Sequence, residues 1–252
     1  MKFWTTLTLI LCLIFPLAGY SQTTPGEWLK TIDESMNPVS YESYRKLINI
    51  EPDGRRKEFV LFALKQGADK VALLFLSPAS EKGRSSLRVG DNMWLYIPNV
   101  AKPIRITSLQ SVTGGVFNNA DILSVDYQAE YDALDMHTLT EANEGGSKLL
   151  QLNLKAKTSS AAYDRLEMVI DPDLKYPLTI RAVSATGMLL KTLYFKDVKD
   201  FGGGIRRPAV IETDSPLYKG YKSAIVFASL KAREVPQEVF TTDYMNKIET
   251  LR

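Results

Sequence analysis

From residue 55 onward the hydrophobic pattern of the chain has a period of two. The stretches "RRKEFVLFALK", "DKVALLFLSP", "SSLRV" and "MWLYIP" read as strands. Gly90 to Asn92 form the turn of a hairpin between the last two. In the first, second and fourth stretches both faces are apolar. Phe59, Leu61 and Ala63 alternate with Val60, Phe62 and Leu64; Val71, Leu73 and Phe75 alternate with Ala72, Leu74 and Leu76. A half-buried sheet carries polar residues on one side. These strands are therefore covered on both faces, or one face lines an apolar cavity. Trp94 and Tyr96 lie opposite Met93, Leu95 and Ile97, and either set suits a cavity wall.

The stretch "KPIRITSL" continues the sheet. "KLLQLNLKAK", "YDRLEMVIDP", "PLTIRAVSA", "MLLKTLYFKDV", "RRPAVIETD" and "YKSAIVFASLKAR" extend it, with turns marked by Pro172, Pro177, Gly187, Gly202 to Gly204 and Pro216. Helical spacing occurs near the start, in "TTPGEWLKTIDESM". Thr24 is placed to cap, Pro25 to open the helix and Glu27 to complete a capping box. Trp28, Leu29, Ile32 and Met36 form its apolar stripe. "YESYRKLINI" extends or follows this helix. "NNADILSVDYQAEYDAL" breaks the alternation, with Asn118 or Asn119 as the cap of a short helix around Asp121. "VPQEVFTTDYMNKIETL" is expected to dock Phe240 and end in a short capped helix. The pattern predicts about ten antiparallel strands in one mainly β (α+β) domain over residues 22–252. That is a strongly curved sheet or open barrel with its helices against one face.

Residues 1–21 read as a signal peptide: Lys2 is basic, Leu7 to Leu17 are apolar, and Gly19 and Ser21 are small residues at the cleavage site. Cleavage is expected between Ser21 and Gln22, which implies export. Cys12 follows Ile10 and Leu11 deep in the apolar run, which argues against lipoprotein processing. The mature chain then has no cysteine and must be held together by its core. No later segment is apolar for long enough to span a membrane.

Charge and composition remove several function classes. Lys and Arg total 31 against 29 Asp and Glu, a formal charge of +2. So balanced a chain offers no electrostatic footprint for nucleic acid. With His137 and Cys12 as the only residues of their kinds, neither a zinc site nor a Cys–His pair can be assembled. There is no G-x-S-x-G elbow, Walker A loop or G-x-G-x-x-G; "FGGGIRRP" lacks the lysine and the following helix. Asp171 and Asp173 flank Pro172 and read as a turn rather than a catalytic carboxylate pair. The expectation is a protein that is not an enzyme and needs no metal or cofactor.

The stretch "LRVGDNMWLYIPNVAKPIRITSLQSVTGGVFNNADIL" carries a family signature. Gly90, Asp91, Trp94, Leu95, Tyr96, Pro98, Arg105, Ile106, Gly114 or Gly115, Phe117, Asp121 and Ile122 stand in its order. Tyr163, Arg165, Glu167, Asp171, Pro177, Gly187, Lys191 and Thr192 continue it at lower specificity. On these residues the chain resembles the LolA-like outer-membrane lipoprotein-sorting proteins of bacteria, over essentially the whole mature sequence. It departs from them at "FNNADI", where the family has a longer stretch before its Asp-Leu.

The resemblance implies an incomplete antiparallel β-barrel whose concave, hydrophobic side is lidded by helices. It also implies a periplasmic carrier that binds acyl chains of lipoproteins or lipids and delivers them toward the outer membrane. An inner-membrane exporter and an outer-membrane acceptor are the implied partners. Phe59, Leu61, Leu73, Phe75, Trp94 and Tyr96 are the candidate cavity residues, and Trp28, Leu29 and Ile32 the candidate lid. Arg206 and Arg207, in "GGGIRRP", are a possible head-group or partner contact, or simply a solvated turn. The competing reading is a non-catalytic periplasmic adaptor of a resistance–nodulation–division-type exporter or envelope complex, with its barrel filled by its own side chains.

Overall fold

The computed structural model describes residues 23–252 except Ser124. The expected signal peptide and its cleavage point lie outside the described residues.

Thr24 and Glu27 close a capping box at the start of helix α1 (Pro25–Met36), as their spacing predicts. Each side chain accepts from the other's backbone N–H. Leu29, Ile32, Asp33 and Met36 are buried along one stripe. The chain then turns to strands: β1 (Tyr41–Ile50), β2 (Arg56–Gln66), β3 (Lys70–Ser77), β4 (Ser85–Val89), β5 (Asn92–Ile97) and β6 (Val100–Ile106). Two short helices follow, α2 (Asn119–Ile122) and α3 (Tyr127–Glu130), with Asn118 capping the first. Then come β7 (Tyr131–Ala142), β8 (Lys148–Ala156), β9 (Arg165–Asp171), β10 (Tyr176–Val183), β11 (Leu189–Asp200), β12 (Arg206–Asp214) and β13 (Lys222–Ala232).

The strands form one 13-stranded sheet in the order β6-β5-β4-β3-β2-β1-β13-β12-β11-β10-β9-β8-β7, with every pairing antiparallel. β6 and β7 remain unpaired edges, so the barrel is incomplete, in agreement with the predicted class. β6 accommodates Pro103, which cannot donate to a ladder and suits an edge.

The thirteen strands are the eleven stretches legible in the sequence and two more that hide their alternation. β1 is the "YESYRKLINI" stretch, which follows the helix rather than extending it. It buries Tyr41, Ser43, Arg45, Leu47 and Asn49 on one face, and the three polar members mask the period. β7 is an edge strand, largely exposed beyond Tyr131, with little apolar patterning to read.

Each face of the β2–β5 end has its own core. On the inner face, Phe59, Leu61, Ala63, Val71, Leu73 and Phe75 join the large cluster that includes Leu29 and Ile32 of α1. On the outer face, Phe62, Leu64, Ala72, Leu74 and Leu87 pack under Val235, Val239, Phe240, Met245 and Ile248. These strands are thus covered on both sides. The covering tail is three 3-10 turns (Gln237–Phe240, Thr242–Tyr244 and Ile248–Leu251) without side-chain caps, not the expected capped helix. One α-helix would scatter Val239, Phe240, Met245 and Ile248 around its circumference. Short turns let all of them face the sheet.

Candidate lipid-binding cavity

The inner face changes character toward the other end of the sheet. Leu166 of β9, Ile180 of β10, Leu193 and Phe195 of β11, Ile211 of β12 and Phe227 of β13 form the floor of a cavity. Its roof is Met36 at the end of α1 and Phe117, Val125 and Tyr127 from residues 117–127. The free space between the walls, mouth included, is about 770 Å³, but only about 60 Å³ is wide enough to admit water. In this conformation the cavity is a narrow, mostly apolar cleft.

Polar contacts pin the roof at several points. Lys191 of β11, itself buried, donates to Asp121 at 2.8 Å and to the Val116 carbonyl at 2.6 Å. The Tyr163 hydroxyl donates to the other Asp121 oxygen at 2.9 Å, and Asn118 donates to that hydroxyl at 2.8 Å. Burial, followed by the neighbouring Asp121 charge, holds the Tyr163 phenol well above its usual range. Arg88 of β4 binds Glu130 at the end of α3. Asp33 of α1 accepts from the Tyr127 and Gln128 N–H groups at 3.2 and 2.7 Å, joining the two parts of the roof. Burial raises the Asp33 carboxyl to about 7, against the pull of these two hydrogen bonds.

Gly115 sits where the roof segment crosses β1. A Cβ there would stand 2.1 Å from Asn49 Oδ1. That close approach lets Asn49 donate to Thr113 and accept from Ser223, which in turn accepts from the Val116 N–H. Of the alternatives Gly114 and Gly115 in the sequence signature, Gly115 is the one without room for a side chain.

Two buried arginines stand in the wall of the cleft. Arg45 Nη1 donates to the Ile122 carbonyl of α2 at 3.2 Å, and its Nε to Ser43 Oγ. Arg207 Nη1 donates to the Met36 carbonyl of α1 at 3.1 Å and to the Tyr41 hydroxyl at 3.0 Å. Both guanidiniums lie against the Phe227 ring, at 4.9 and 4.4 Å from its centroid. Burial and the second arginine lower Arg45 to about 10, which leaves it charged at neutral pH.

The sequence-predicted residues do not converge on this cleft. Phe59, Leu61, Leu73 and Phe75 lie together on the inner face but within the packed β2–β3 end; Phe59 and Phe75 meet edge to face at 6.3 Å. Trp94 and Tyr96 are on the outer face, half-buried against the C-terminal tail. Leu29 and Ile32 are buried beneath α1, and Trp28 packs at the margin of the same cluster. Arg206 is exposed, but Arg207 is 4% exposed within β12 and not on a solvated turn. Asp171 and Asp173 share the Asn143 amide, and Asp171 also accepts from the Asp173 N–H, the hydrogen bonding of a turn. His137 is exposed on β7 beside Asp135. Arg45, Phe227 and the β9–β12 floor went unnoticed in the sequence. The available signal was the parity of Tyr41, Ser43, Arg45 and Leu47, which places Arg45 among inward-facing positions.

Among solved structures, a LolA superfamily protein from Nitrosomonas europaea superposes with a TM-score of 0.78 at 25% identity, covering 88% of this chain and 100% of its own. The chain is LolA-like. A family model described as "uncharacterized protein" matches residues 67–247, and the chain belongs to that family. Two further structures share the fold. A DUF1329 family protein from Desulfovibrio piger has a TM-score of 0.74 at 19% identity, covering 88% of this chain and 97% of its own. A domain from Vibrio parahaemolyticus, put forward as an outer membrane lipoprotein-sorting protein, has a TM-score of 0.73 at 18% identity with the same coverages. No curated protein matches the sequence. Among the described residues, no helix of this LolA-like chain is long and apolar enough to cross a membrane.

Proposed function

We propose that this LolA-like protein is an exported carrier that takes up acyl chains of lipoproteins or lipids in the periplasm and passes them toward the outer membrane. The reading rests on one observation above all. The apolar floor from Leu166 to Phe227 is separated from the roof by unfilled space, while the other end of the sheet is packed solid on both faces.

Burying a lipid chain is worth about 0.8 kcal/mol per methylene, so about 14 methylenes carry roughly 11 kcal/mol against water. Ligand pockets usually offer several hundred Å³. A cleft with about 60 Å³ wide enough for water is too narrow for such a chain as it stands, so the chain enters as α1, α2 and α3 lift. Trp28, Leu29 and Ile32 move with the lid. Phe59, Leu61, Leu73 and Phe75, in the packed β2–β3 end of the same cluster, back the trough rather than line it. Wall contacts without directional bonds allow the cargo to leave again.

The test is native mass spectrometry with lipid extraction on the protein purified without detergent, together with uptake of a fluorescent acyl probe. Co-purifying acyl species near one per protein support the carrier reading. A protein that is empty and also refuses the probe overturns it, and favours an adaptor docking to an exporter.

A further inference from the structure

Charged groups buried in proteins are paired, because an isolated ion loses its hydration without compensation. Arg45 and Arg207 break that rule. They are 2% and 4% exposed, lie against one aromatic ring, and neither forms an ion pair among the described residues. The carboxylates nearby are committed elsewhere: Asp121 to Lys191, Tyr163 and the Asn118 N–H, and Glu130 to Arg88. The partners the arginines do have are neutral oxygens of Ser43, Ile122, Met36 and Tyr41. Among the described residues, Arg45 Nη2 and Arg207 Nε have no hydrogen-bond partner. An unsatisfied buried donor on a charged group is costly and rare enough to require a reason. Both side chains line the cleft.

We infer that the Arg45–Arg207 pair is an anion-binding site at one end of the apolar cleft, built for the carboxylate or phosphate head of an acyl amphiphile. An oxyanion supplies the acceptors that the two guanidiniums lack, and it neutralises the like charges held against Phe227. The apolar floor beside it takes the chain. Lys65 responds to the same field. It is wholly buried, its Nζ donates to the Ala68 carbonyl, and burial, then Arg88, Arg45 and Arg207, drive its ammonium well below the usual lysine range. The inference rests on the carrier reading and narrows it from acyl chains in general to those with an anionic head.

The experiment compares ligands of one chain length on the protein produced from its full sequence, below their micelle concentrations. Hexadecanoate and hexadecyl phosphate are set against hexadecanol, with acetate and inorganic phosphate as chainless controls. Calorimetric titration should show the two anionic amphiphiles binding at least tenfold more tightly than hexadecanol, with the controls weak. Arg45→Gln and Arg207→Gln, checked for folding by thermal melting, should each erase that preference, so that the anionic amphiphiles and hexadecanol bind the variant within about twofold of one another. Equal binding of all three amphiphiles overturns the anion site and leaves the carrier reading standing. Failure of every amphiphile to bind overturns both. Acetate or phosphate binding as tightly as its amphiphile identifies a free-anion site and overturns the lipid head as its source. The wild-type comparison decides the matter even if a variant fails to fold.

Discussion

The β2–β5 end and the β9–β13 end of the sheet are built from similar strands but do different work. At the first end, every inward and outward position from Leu61 to Leu64 is essentially inaccessible, with α1 and its neighbours on one side and the C-terminal tail on the other. At the second, the outer face carries half-buried and exposed residues, and the inner face looks into the cleft. Strands apolar on both faces therefore mark a doubly covered wall here. The proposed binding surface lies where strands alternate in the ordinary way and a polar inlay interrupts the apolar floor.

The largest effect that tests this contrast is Phe75→Ala. Phe75 is fully enclosed, so the substitution should cost about 3–5 kcal/mol in denaturant unfolding and leave acyl-probe affinity per folded molecule unchanged. A loss below about 1 kcal/mol would show that the β3 end is not solidly packed.

Next is the tie between the two halves of the roof. Asp33 titrates near 7 in the folded protein against 3.8 for an ordinary aspartate. A raised carboxyl pKa means that the folded state holds the proton more tightly. The stabilisation is complete below pH 3.8 and is lost as pH rises through about 7. Between pH 5 and pH 7 stability should fall by roughly 2 kcal/mol, and Asp33→Asn should flatten that slope. A wild-type profile parallel to that of the variant would refute the assignment.

Gly115→Ala comes third. Its Cβ would collide with Asn49, so about 1–3 kcal/mol should be lost, and hydrogen exchange should quicken at Val116. Gly114→Ala has open space around it but a φ of 73°, so it tests backbone strain alone. The smallest stability effect is expected for Phe195→Ala. Phe195 borders the cleft on one side, so about 1–2 kcal/mol is expected, alongside the clearest change in probe binding among these substitutions.

Much of the fold was legible because it is written locally. Asn118 caps α2 through bonds spanning three residues, and Gly90 with its φ of 56° turns the β4–β5 hairpin. The candidate site was less legible. β1 was obscured because its inward positions include Ser43, Arg45 and Asn49, polar groups whose partners lie far away in the chain. Arg207 in "GGGIRRP" drew attention as a charge, but sequence could not distinguish a solvated turn from burial.

By itself, the sequence determined where α1 begins, where most strands run, that the β2 and β3 strands are apolar on both faces, and that the chain is LolA-like. Each of these depends on residues close in the chain or on a linear pattern. Only the tertiary structure decided that β1 pairs with β13, that the C-terminal tail covers the outer face, and that the cleft sits over β9–β13. Arg207 reaches Tyr41 across 166 residues, and Arg45 reaches Ile122 across 77. Such meetings are fixed by strand order and register, through which every packed residue constrains the others, and no local run of side chains encodes them.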